Sequence, residues 1–188
     1  SKLIVMADVE TNTRTMNDCC LKAARGEPTD FVPVWAMRQA GRYLPEFREQ
    51  RLASDFFTIC QTPELACKVT LQPLERFELD ASIIFSDILV IPQALGMTVN
   101  MIKGIGPSFP EPLVVPQDLE KLDKNPDVDL VLGYVYDAIT LTKKSMANPV
   151  PMFGFCGGPV MMSAVHTCTC SLPLFHLRSL ALSLSLSL

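Results

Sequence analysis

Segments patterned as strands alternate with segments patterned as helices between residues 17 and 155. No other property constrains the fold as much. Residues 31–35 (FVPVW) are short, apolar and partly β-branched, a strand pattern in which Pro33 is the weak point. Residues 81–85 (ASIIF) read as a buried strand that ends in Ser86 and Asp87, and residues 150–155 (VPMFGF) read as a third strand before Gly157, Gly158 and Pro159. Between them lie helix signals. Asn17 caps a helix that runs to Arg25, with Gly26 as its stop. Thr62, Pro63 and Glu64 supply a cap, a first-position proline and an acidic first turn, opening a helix that runs to about residue 77 with a disturbance at Pro73. Residues 127–147 are helical by pattern, and residues 97–115 read as a hairpin followed by a proline-rich loop, broken by Gly104, Gly106, Pro107, Pro110 and Pro112.

Strand, helix, strand, helix, strand in that order predicts an α/β fold with a mostly parallel sheet. Ligands of such sheets bind at the C-terminal ends of the strands. Each strand here leads into a polar or flexible feature: Trp35 into the segment holding Arg38 and Arg42, Phe85 into Asp87, and Phe155 into the Gly-Gly turn.

The 188 residues make one domain or two small ones, and 48% apolar residues are enough for a core. Sixteen Lys and Arg against 20 Asp and Glu leave a net charge of −4, which argues against a nucleic-acid or polybasic membrane surface. Recognition of an anion then has to be local. No apolar run reaches the length of a membrane span, and the first residues lack a secretory h-region. Seven cysteines, odd in number and irregular in spacing, predict reduced thiols in a cytoplasmic protein. Both histidines, His166 and His176, fall near the end, so the rest of the chain has no histidine base or ligand.

The sequence changes character at about residue 163. Residues 164–188 carry one charge, Arg178, and finish in strict Leu-Ser alternation from Leu182 to Leu188. Period-two patterning fits a strand, but a two-letter repeat is also low complexity. Repeats of CT and CA dinucleotides read out as Leu-Ser and His-Thr-Cys-Thr, and translated non-coding sequence is the expectation for this tail.

Three places can carry chemistry. In PVWAMRQAGRYLPE, Arg38 and Arg42 stand four apart, with Gln39 between them and Gly41 beside Arg42. Two guanidinium forks on one helix face, or converging from a tight turn, suit a polyanion. The plainer alternative is solvated arginines, or arginines paired with Glu46 and Glu49. Asp87 sits between two apolar runs, as a helix cap or structural acceptor, or as a carboxylate that receives several N–H donors from a ligand. The Gly154–Pro159 stretch forms an anion-binding nest or, more simply, a strand-to-helix turn. His166, Cys168 and Cys170 do not follow the usual zinc spacing, and no dinucleotide fingerprint, P-loop or nucleophile elbow is present.

The run VWAMRQAGRYLPEFRE resembles the uroporphyrinogen decarboxylase family, and the resemblance continues through LQPLERFELDASIIFSDILVIPQALGMTV and GPSFPEPL to PMFGFCGGP. It covers about residues 15–160. It implies the N-terminal part of a (β/α)8 barrel over residues 1–163, incomplete in this chain with about three of eight strands, followed by a tail outside the family over residues 164–188. The implied activity is stepwise removal of CO2 from the four acetate side chains of uroporphyrinogen to give coproporphyrinogen, in a cytoplasmic homodimer that uses no metal or organic cofactor and binds neither nucleic acid nor membrane. By the same match Asp87 accepts the pyrrole N–H groups and stabilises the positive charge of a protonated ring. Arg38 and Arg42 bind substrate carboxylates, one of them assisting proton transfer, and Gln39 and Ala40 belong to the same binding segment. After Pro159 the sequence departs from the family, which continues with a Trp and a substrate-contacting Tyr. A truncated product without activity of its own is therefore expected. The rival expectation is a non-catalytic fragment that binds a full-length subunit or the porphyrinogen.

Overall fold

The computed structural model describes residues 17–35, 43–102, 105–147 and 149–154. The first helix, α1 (Cys19–Arg25), has Asp18 rather than the expected Asn17 at its cap position, without a side-chain cap bond; one residue earlier, Asn17 Oδ1 accepts the Cys19 N–H at 3.1 Å. It ends at Gly26, which takes φ +73°, a left-handed conformation that costs a Cβ-bearing residue more than glycine.

Three helices then follow in close succession. Proline at the first position and Glu46 in the first turn start α2 (Pro45–Ala53). The Asp55 side chain accepts the Thr58 N–H at 3.0 Å and caps α3 (Phe56–Gln61). Pro63 starts α4 (Pro63–Arg76); Thr62 occupies the cap position but makes no side-chain cap bond. The helix passes through Pro73 and continues to Arg76. Its buried residues include Ala66, Val69, Thr70 and Pro73, the spacing of one helix face.

Among the described residues two short parallel strands form one sheet. β1 (Ser82–Ile83) pairs with a strand at residues 152–153, called β4 below, with Ser82 opposite Met152 and Ile83 opposite Phe153. Between them come α5 (Val90–Ala94), the antiparallel hairpin of β2 (Asn100–Ile102) and β3 (Gly106–Ser108), a 3-10 turn (Pro116–Lys121) and the long helix α6 (Val128–Ser145), followed by β4 (Met152–Phe153). Asp127 caps α6 by accepting the Leu130 N–H at 3.2 Å. A helix carrying the chain from β1 back to a parallel neighbour is the βαβ unit expected for an α/β fold.

Residues 31–35 depart from the strand expectation. They lie beside the start of β1 but form no ladder among the described residues. Val34 is held there by two bonds: its N–H donates to Asp80 Oδ2 at 2.7 Å, and its carbonyl accepts the Asp80 N–H at 2.9 Å. Pro33 has no N–H to give, and Phe31, Val32 and Val34 are all exposed, so neither pairing nor burial extends the strand.

The core lies where α4 and α6 cover one face of the sheet, and Leu44, Ile59, Ala66, Val69, Ile84 and Ala138 meet there. Burying a side chain the size of Val69 contributes roughly 1.5–3 kcal/mol. By strand alternation Ile83 and its partner Phe153 point to the other face. There the Phe153 ring meets the Trp35 ring edge-on, centroids 5.6 Å apart. A smaller cluster of Leu89, Val99 and Phe109 supports the hairpin.

Candidate active site

The described part of the site is the place where β1 and β4 end. Beyond β1, Phe85 packs edge-on against Phe47 of α2 and Phe56 of α3, at centroid distances of 5.9 and 6.1 Å. Those contacts tie the strand end to two helices before the chain reaches Asp87. A cleft of about 130 Å³ opens there, lined by Ser86, Asp87, Ile88 and Ile91 on the strand side, by Leu132, Val135 and Ile139 of α6, and by Gly154 just past β4. The ends of two parallel strands thus border one cavity.

Asp87 is half-buried in this cleft. Burial raises its carboxyl above the ordinary aspartate range, and the Leu89 N–H, which donates to Oδ1 at 2.8 Å, offsets part of that rise. Among the described residues that N–H is the one hydrogen-bond donor to the side chain, so Oδ2 keeps its acceptor capacity. The Asp87 carboxylate also helps raise the thiol of Cys60, which burial pushes up to about 12; the nearby Tyr134 phenol is pushed up to about 12 by burial as well. Both are neutral at pH 7. Among the described residues lining this cleft Asp87 is the one acidic side chain, in apolar surroundings suited to accept several N–H donors or to face a developing cation.

Of the plainer sequence readings of Asp87, the structural acceptor is the one present: Leu89 itself holds the cap position of α5, with no side-chain cap bond, and its N–H donates to Asp87 Oδ1. Arg38, Gln39, Ala40 and Arg42 lie outside the described residues. Their flanks are described: Val34 is bonded to Asp80, and Leu44 is 1% exposed in the core. Glu46, one of the two carboxylates near them in sequence, is paired with Arg76 at 2.5 Å. Of the 154–159 stretch only Gly154 is described. His166, Cys168 and Cys170 lie outside, and among the described residues no cluster of three His, Cys, Asp or Glu could hold a metal ion. No helix among them is long and apolar enough to cross a membrane.

A larger depression of about 860 Å³ lies at the other end of the strands, bordered by Asn17, Arg76, Phe77, Asp80, Met146 and Val150. Its acids and bases include Arg76, already paired with Glu46, and Asp80, already bonded to Asn17 and Val34. The smaller cleft is the better candidate, because open α/β sheets bind ligands beyond the C-terminal ends of their strands.

Sequence reasoning missed α2, α3 and the Asp80 tether. The first two carried readable signals, Pro45 before Glu46 and Asp55 at a cap position. The tether had none, because its partners are 46 and 63 residues away from Asp80.

Comparison with known proteins adds the following. The family model for uroporphyrinogen decarboxylase (URO-D) matches residues 15–168. Proteins named uroporphyrinogen decarboxylase from Homo sapiens and Dictyostelium discoideum are 64% and 61% identical to this chain over 143 residues. Each alignment covers 76% of this chain and 39% of the relative, so the chain spans well under half the length of the curated relatives it matches. Among solved structures, a methyltransferase from Methanosarcina mazei superposes with a TM-score of 0.56 at 26% identity, over 83% of this chain and 46% of that one.

Proposed function

The chain belongs to the uroporphyrinogen decarboxylase family, and from that membership we propose that it carries part of a site for removing CO2 from the acetate side chains of uroporphyrinogen. The substrate is a tetrapyrrole with eight carboxylates outside and four pyrrole N–H groups converging at its centre. Asp87 accepts those N–H groups. When a proton adds to a pyrrole ring, the carboxylate stabilises the positive charge. CO2 then leaves, the electron pair of the broken C–C bond neutralises the ring, a second proton takes the place of CO2 on the side-chain carbon, and the first proton leaves the ring to restore the pyrrole. Arg38 and Arg42 bind the peripheral carboxylates through their forks, and one of them assists proton transfer. Gln39 and Ala40 belong to the same binding segment. No metal or organic cofactor enters this scheme.

The observation that carries the reading is the Asp87 carboxylate itself. It stands beyond the end of β1, half-buried, with one oxygen held by Leu89 and apolar side chains around it. Once substrate excludes water, the pyrrole N–H groups replace the hydration that the cleft removes. We read the fold as the N-terminal part of a (β/α)8 barrel over residues 1–163, with residues 164–188 as a tail outside it. The parallel pairing of β1 and β4 with helices on one face, and the likeness to the methyltransferase, support this. A cytoplasmic homodimer completes the proposal.

One observation favours a second reading for the 188-residue chain by itself. Phe153 is 38% exposed on the sheet face opposite the helices, where its ring contact is Trp35. Such a face fits a non-catalytic fragment that binds a full-length subunit or the porphyrinogen. Product assay separates the two readings. For the first, Asp87→Asn in a full-length chain bearing this segment is expected to keep the fold and lose roughly 10²–10³ in decarboxylation rate. Near-normal turnover of that variant would remove Asp87 from the chemistry.

A further inference from the structure

The residues that follow β1 are held from three directions. Ile84 N–H donates to Phe153 O at 3.0 Å, the final bond toward β4. Phe85 N–H turns to the helix side and donates to Thr70 Oγ1 of α4 at 2.9 Å, in a buried setting. Two residues later Asp87 Oδ1 receives the Leu89 N–H. Thr70 is 1% exposed, and its own hydroxyl hydrogen is committed to Ala66 O at 2.7 Å. A hydroxyl has one hydrogen and two lone pairs, so what Thr70 presents to β1 is an acceptor of fixed direction. Its χ1 is stiff, because Cβ is branched and the hydroxyl is anchored to the helix backbone.

Thr142 of α6 shows what the helix alone requires. It is equally buried and makes the same bond to the carbonyl four residues back, Ala138 O at 2.7 Å. Among the described residues it receives no strand N–H. The Phe85 bond is therefore an addition to the helix habit. The rings of Phe47 and Phe56 position the Phe85 side chain, but they do not direct its amide.

We infer that Thr70 is a positioning residue for the decarboxylation: its hydroxyl holds the Phe85 amide and thereby sets where the Asp87 carboxylate stands. This rests on the reading of Asp87 as the group that meets the pyrrole centre. An error near 1 Å in such a group costs about 10²-fold in rate while the distant carboxylate contacts still bind substrate.

The test uses a full-length chain bearing this segment, with Thr70→Val and Thr70→Ser measured beside the parent and beside Asp87→Asn. Thr70→Val keeps the shape and removes the acceptor. Its kcat for uroporphyrinogen should fall roughly 10–100-fold with KM within about twofold. Hydrogen exchange at the Phe85 amide should quicken at least tenfold, whereas Thr70→Ser should restore both to within about threefold of the parent. Loss of Phe85 protection without loss of kcat would overturn the inference and leave Asp87 untouched. Normal turnover in Asp87→Asn would instead overturn the reading beneath it. If Thr70→Val does not fold, Thr70→Ala carries the same comparison, and failure of both to fold would make Thr70 a general structural residue and overturn its positioning role.

Discussion

Asp80 joins three parts of the chain, and its removal has a calculable cost. Oδ1 accepts the Asn17 side-chain N–H at 2.7 Å and Oδ2 accepts the Val34 backbone N–H at 2.7 Å. The Asp80 N–H adds a bond to Val34 O that no side-chain substitution removes. A hydrogen bond to a charged group contributes about 1.5–3 kcal/mol net. The Asn17 bond is partly buried and merits about 1.5–2 kcal/mol; the Val34 bond is exposed and merits about 1. Asp80→Ala should therefore destabilise by about 2.5–3 kcal/mol. Asp80→Asn keeps one acceptor oxygen and turns an NH2 toward the other donor, so it should lose somewhat more than half of that. Urea unfolding of a full-length chain bearing this segment measures both, and the Val34 amide should lose exchange protection in each. The tether also anchors the extended segment that leads to Arg38, so the KM for uroporphyrinogen should rise in Asp80→Ala. If Asp80→Ala costs less than about 0.5 kcal/mol, the two 2.7 Å bonds do not hold the segment in solution.

Arg42→Lys in the same full-length background should reduce kcat/KM at least about tenfold, because a point charge does not replace a bidentate fork; unchanged KM and kcat would make Arg42 a surface residue. The raised Asp87 carboxyl should place the acid limb of the kcat/KM profile above the ordinary aspartate range. Its sign in stability is the reverse of a salt-bridged aspartate. With the folded-state value above the unfolded one, the native protein binds more protons in the window between them. Ionised Asp87 costs stability above that window, and the cost is relieved as pH falls through it. A stability profile that Asp87→Asn leaves unaltered in that window would contradict this. The 188-residue chain expressed by itself should yield no coproporphyrinogen and no cooperative melt, because the Trp35–Phe153 face and the open sides of a two-stranded sheet stay wet. A soluble monomer with measurable product would refute this.

Helix ends were the most legible part of the fold. Pro63 and Glu64 behind Thr62 marked the start of α4 and Gly26 the end of α1, because first-turn preferences and left-handed turns are local chemistry, although Thr62 makes no side-chain cap bond. The same Pro-acid signal at Pro45 and Glu46 went unread. α2 buries only Phe47, so no apolar period reinforced the signal, and its start lies inside the arginine segment. The strands were read too long. Residues 81–85 and 150–155 are apolar enough for five or six strand positions, yet the ladder holds two on each side. Pattern reports burial, whereas a ladder requires a neighbour's backbone in register. The same limit applies to residues 31–35. At the site, the sequence singled out Asp87, but neither its bond to Leu89 nor the Thr70 contact at Phe85, which joins residues 15 apart on different elements.

The two readings of Asp87 can be weighed against each other by what each requires of a carboxylate. As a structural acceptor it takes a single N–H, that of Leu89 just ahead of a five-residue helix. Asparagine or serine does that as well, without a charge. The charge carries a penalty here: burial opposes ionisation, and the one N–H donor offsets only part of it. Had that been the only role, an uncharged residue would give the same bond at lower cost. A permanent cation nearby would be the usual remedy, but among the described residues the Asp87 carboxyl is shifted by burial and by the Leu89 N–H, with no cation acting on it. Under the proposed reading, that compensation comes from donors that arrive with a ligand, or from positive charge that exists only during reaction. In the decarboxylation we propose, four converging pyrrole N–H groups would supply the first and a protonated pyrrole the second, so that the cost of burying the charge would return as stabilisation of the transition state.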